Sequence, residues 1–161
     1  MGNFRFWAPI ALLALLPSCG LAQSRLPEIR SRFTQETDPV HRAEVMPKLG
    51  EAEFDEITRD IDAGKTPEAL DLLKEYREEI TACEKGLDAR KVDAERHPRG
   101  YKQLEISLRQ SLRKLNALMV SFTADEQVPF AEVRQSLEEL NRHLIHELFP
   151  KGPNDDTTPP D

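Results

Sequence analysis

The stretch YKQLEISLRQSLRKLNALMVSF, from Tyr101 to Phe122, decides the fold class. Its apolar residues, Tyr101, Leu104, Leu108, Leu112, Leu115, Leu118, Met119 and Phe122, recur at steps of three and four, with charged and amide side chains between them. A period near 3.6 gathers such residues into one broad stripe on an α-helix, whereas a half-buried strand would alternate at every second residue. No strand-like alternation of useful length occurs elsewhere in the chain.

The same period continues on both sides. Downstream, Phe130, Val133, Leu137, Leu140, Leu144 and Leu148 form a stripe that begins at Pro129 and stops at Phe149-Pro150. Between the two stripes, Thr123-Ala-Asp-Glu126 has the spacing of a capping box and reads as a short turn. Upstream, Thr66-Pro67-Glu68 opens a helix with a cap, a proline in the first turn and an acid near the positive end. Its stripe is Ala69, Leu73, Tyr76, Ile80, Cys83, Leu87 and Ala94, with a turn skipped at Arg90. Before it, Asp38 and Pro39 start a segment carrying Met46, Leu49, Phe54, Ile57 and Ile61, which Pro47 and Gly50 interrupt and Gly64 ends. The expectation is an all-α domain over residues 38–149: a small antiparallel bundle of three long helices plus an interrupted N-terminal helix.

Both ends differ from this middle. Residues 1–22 read as a signal peptide: Arg5 is followed by about ten nearly pure hydrocarbon residues, Trp7 to Leu16, too few for a span that needs roughly 20. Gly20-Leu21-Ala22 supplies small residues for cleavage before Gln23. The alternative is Leu16-Pro17-Ser18-Cys19, which resembles a bacterial lipobox and would make Cys19 a lipidated first residue. The expected location is extracytoplasmic, either periplasmic or secreted, and lipid-anchored in the envelope if Cys19 is acylated. Residues 23–37, polar with Pro27 and three arginines, read as a flexible lead-in, and residues 150–161 as a disordered tail with four prolines. Past the leader only Cys83 remains, so no internal disulfide is available, and its seat between Ile80 and Leu87 is that of a buried small hydrophobe.

Charge narrows the function classes. The net charge of −7 argues against a general nucleic-acid binder, which needs a basic footprint. Glycine-rich phosphate loops, Ser-His-Asp spacing and paired CxxC motifs are absent from the sequence. Two groups of residues remain. Glu139, His143, His146 and Glu147 occupy adjacent turns of the last helix, and imidazole with carboxylate on one face is a ligand set for Zn²⁺ or Cu²⁺. A solvated polar face is the simpler account of them, and one helical face alone leaves ligands exposed. Lys102, Arg109 and Arg113 form a basic line with Ile106 set into it. This line suits an acidic partner or lipid headgroups, or else it pairs with Asp71, Glu75, Glu78, Glu79 and Glu84 of the preceding helix. The reading that follows is a non-enzymatic protein without a cofactor that binds a protein partner in the cell envelope. The alternative is a periplasmic metal- or stress-responsive helical protein.

Overall fold

Each segment that carries an apolar stripe is helical in the computed structural model, which describes residues 25–150. Five helices are present: α1 (Leu26–Gln35), α2 (Pro39–Asp62), α3 (Thr66–Asp88), α4 (Arg99–Met119) and α5 (Ala124–Leu148). No strand occurs among the described residues. Residues 1–22, read above as a signal peptide, with Cys19 among them, and the tail from residue 151 onward lie outside them.

Four boundaries differ from the sequence expectation. The stretch read as a flexible lead-in forms α1, with Leu26 and Phe33 buried and the Arg42 guanidinium 5.7 Å from the Phe33 ring centroid. Pro27 sits in the first turn of α1, where a missing N–H costs no helical bond. Second, α2 runs unbroken through Pro47 and Gly50. A Cβ at Gly50 would lie 2.9 Å from Cε2 of Tyr76, so this glycine admits a ring of α3 rather than ending a helix. The propensity penalty of about 1 kcal/mol for Gly and about 3 for Pro is outweighed by burial of Met46, Leu49, Phe54 and Ile57 on the same helix.

Third, α3 stops at Asp88, not near Ala94. The backbone turns at Lys91, whose φ is 53°, and Ala94 is buried from the connecting loop. The turn skipped at Arg90 was therefore the end of the helix. Fourth, α5 begins at Ala124, ahead of Pro129. The Glu126 carboxylate accepts from both the Thr123 N–H (2.9 Å) and the Thr123 hydroxyl (2.7 Å), so the capping box opens the long helix itself.

α2 packs against α3 and α4, α5 packs against α4 and α3, and α1 lies on α2. The Thr66 hydroxyl donates to Glu126 at 3.4 Å, which joins the first turns of α3 and α5. At the other end of the same two helices, His143 meets Glu84 and Asp88. In the middle, Phe54 and Tyr76 meet edge to face with centroids 5.4 Å apart, and the Tyr76 hydroxyl lies 3.4 Å from that of Ser107. Cys83 is buried in this core, and burial pushes its thiol up to about 12, far from a reactive thiolate.

Candidate functional site

The four residues of α5 read as one ligand face do not act together. Glu139 accepts from Gln135 of its own helix at 3.3 Å. His146 is 75% exposed, and its ionic neighbour among the described residues is Glu147 at 3.9 Å. Of the four, His143 makes the ion pairs to another helix, while the Glu147 charge bears on Tyr101 of α4. His143 Nε2 lies 3.1 Å from Glu84 Oε1 and 3.7 Å from Asp88 Oδ2. His143 and His146, three apart, are neighbours on the helix surface, but His143 is turned onto α3 while His146 stands in solvent.

Glu84 and Asp88 themselves are four apart and share a face of α3, so both carboxylates point at one spot on α5. The first is buried; the second is half-exposed. The buried Tyr101, at the start of α4, donates its hydroxyl to Asp88 Oδ1 at 3.0 Å. Burial, reinforced by the neighbouring Asp88 charge, raises the Glu84 carboxyl above its ordinary range, with His143 opposing the rise. Burial and then the bond to Asp88 hold the Tyr101 phenol in its protonated form, well above the usual value. The result is a site with two acids, one imidazole and a phenol, contributed by α3, α5 and α4. The sequence pattern missed Glu84, Asp88 and Tyr101; the spacing of the two acids was visible, but nothing in it says which helix they face.

A second charged cluster joins α1, α2 and α3. Arg30 Nη2 lies 2.5 Å from Glu53 Oε1, Nη1 lies 3.1 Å from Glu75 Oε2, and Nε lies 3.5 Å from Glu79 Oε1. Glu53 is fully buried. Burial first, and the adjacent Glu79 carboxylate second, push its carboxyl up to about 8 against the pull of Arg30. The outer oxygens Glu53 Oε2 and Glu79 Oε2 are buried with no donor of their own. A proton held between the two carboxyls satisfies both.

This cluster also decides where the acids of α3 go. Glu75 and Glu79 face Arg30, Asp71 faces Lys74, Glu78 faces Arg77, and Glu84 faces His143. None of them pairs with the basic line of α4, so pairing between that line and the preceding helix does not occur. Lys102, Arg109 and Arg113 are exposed and Ile106 is half-buried. Arg109 meets only Glu105 of its own helix, at 3.4 Å. The cations of α4 that do reach a neighbour are Arg99, paired with Glu44, and Lys114, 3.7 Å from Asp55, both on α2.

No protein-family model matches the chain, and neither the curated proteins nor the solved structures include a match. Among the described residues, no helix is long and apolar enough to cross a membrane.

Proposed function

We propose that this chain is an exported, non-enzymatic helical protein that binds an acidic protein partner in the cell envelope through the outer face of α4. In this reading it is a small antiparallel bundle delivered by the leader in residues 1–22, periplasmic or secreted, with lipid anchoring at Cys19 as the alternative. The observation that carries the reading is the state of the basic line. Lys102, Arg109 and Arg113 stand in solvent, and none is paired with another helix among the described residues. Long side chains on a surface of net negative protein steer and orient an oppositely charged partner more than they stabilise the fold.

Reversing Arg109→Glu together with Arg113→Glu tests it. Crosslinking in the envelope fraction before lysis, followed by pull-down, should recover much less partner from the variant. Recovery of the wild type should fall as salt is raised, because exposed charges are screened over about 8 Å at physiological ionic strength. Helicity and melting should stay within about 0.5 kcal/mol of wild type, as for other exposed substitutions. Undiminished recovery from a folded double variant would remove α4 as the contact.

A further inference from the structure

We propose that Glu84, Asp88 and His143 together bind one divalent transition-metal ion of the zinc class, in the seam where the last turns of α3 and α5 meet. One donor atom from each residue lies within 4.8 Å of the other two. With metal–ligand bonds of about 2.0–2.1 Å, the edge of a tetrahedron is about 3.3–3.4 Å. The separations from His143 Nε2, 3.1 Å to Glu84 and 3.7 Å to Asp88, fall on either side of that edge. Two of the three edges thus lie within about 0.4 Å of the tetrahedral value, and the third, between the two carboxylates, is no longer than 4.8 Å.

Donor chemistry selects the class of ion. One imidazole nitrogen with two carboxylate oxygens suits a borderline ion such as Zn²⁺, while Ca²⁺ takes six to eight oxygens and Mg²⁺ an octahedron of them. Two carboxylates and a neutral imidazole carry two negative charges, which a dication offsets. Tyr101 completes the arrangement from behind: by donating to Asp88 Oδ1 it fixes that carboxylate with Oδ2 toward His143. Outer partners of this kind orient a ligand and raise affinity. Exposure is graded, with the Glu84 side chain 11% exposed and the Asp88 and His143 side chains 41% and 44%. The inner wall is thus closed by Glu84, and the fourth position opens to water.

Calorimetric titration of the chelator-stripped full chain with Zn²⁺ should give one ion per chain at micromolar or tighter Kd. Co²⁺ should give the visible bands of a four-coordinate site. Glu84→Gln and His143→Ala should each weaken Zn²⁺ binding at least 100-fold, and Tyr101→Phe about 10-fold or more. Binding by His146→Ala should equal wild type. Circular dichroism confirms that each variant is folded; Glu84→Gln keeps the shape of the buried side chain and His143 is largely at the surface, so both should pass. The proposal is overturned if stripped wild type shows no saturable Zn²⁺ binding below about 100 μM. It is equally overturned if binding survives Glu84→Gln but is lost in His146→Ala, since the ligands would then lie along α5 alone.

Discussion

Two places in this molecule gather carboxylates around one nitrogen side chain, three around Arg30 and two around His143, and they use them in opposite ways. Around Glu53 the nitrogen is the permanent cation of Arg30, the central acid is fully buried, and the remaining oxygens have no donor but a proton. Around Glu84 the nitrogen is the imidazole of His143, and two of the three side chains reach solvent. Desolvation separates the two. A carboxyl buried as deeply as Glu53 must be matched where it stands, so the first cluster is closed around that group, though Arg30 and Glu75 reach solvent, and it ties α1 to the rest of the fold. The second is open at its rim, and an ion from solution can provide the matching charge.

Removing the guanidinium from the closed cluster should have the largest effect. Arg30→Met leaves the buried Glu53 carboxyl and its neighbour Glu79 without their donor, at a cost of about 1–3 kcal/mol. Melting temperature should fall markedly, and limited proteolysis should cut between α1 and α2. If melting is unchanged, the attachment of α1 rests on Leu26 and Phe33 instead.

Per pH unit, a smaller effect should come from titrating Glu53, because Arg30 then stays in place. The folded protein holds the Glu53 proton up to about 8, above its ordinary value of 4.5. The folded state therefore binds more protons than the unfolded chain between those values. Stability from this group is fully present below about pH 4.5 and is lost as pH rises through about 8, with a slope no steeper than about 1.4 kcal/mol per unit. Denaturant melts at pH 5, 6.5 and 8 should show this decline in wild type and a flatter profile in Glu53→Gln. Equal slopes would place the shared proton elsewhere.

The smallest effect belongs to the open cluster. In metal-free protein, His143→Ala should change stability by less than about 1 kcal/mol, as for other half-exposed pairs. A larger loss, measured by the same melts, would mean that His143 supports the fold much as Arg30 does and would erase the contrast.

Much of the helical content was legible, and for one reason. Burial follows the helical period, so Leu73 to Leu87, Leu104 to Leu115 and Phe130 to Leu148 could be read from spacing alone. Errors gathered where a local signal competed with packing at long range. Pro47 and Gly50 read as breakers and Pro129 as a helix start, yet all three lie inside helices, since a local cost of a few kcal/mol yields to a buried face. The ten residues of α1 were too short a run to show a period among prolines and arginines, though Leu26, Ile29 and Phe33 carry one. The candidate site was legible only in part. His143 stood out, but its neighbours were sought along α5, because spacing reports which residues share a helix and not which helices touch. Glu84 and Asp88 become its partners only once α3 and α5 lie side by side.

The hydroxyl of Tyr101 on Asp88 has a practical side. The chain has two tyrosines and one tryptophan, Trp7, which belongs to the proposed leader. Once that leader is gone, near-ultraviolet light from the protein comes from two phenols, one enclosed in the core and the other bonded to a carboxylate at the seam. Events at the seam are therefore written into the emission of a single native side chain, and the molecule can be watched there without an attached dye.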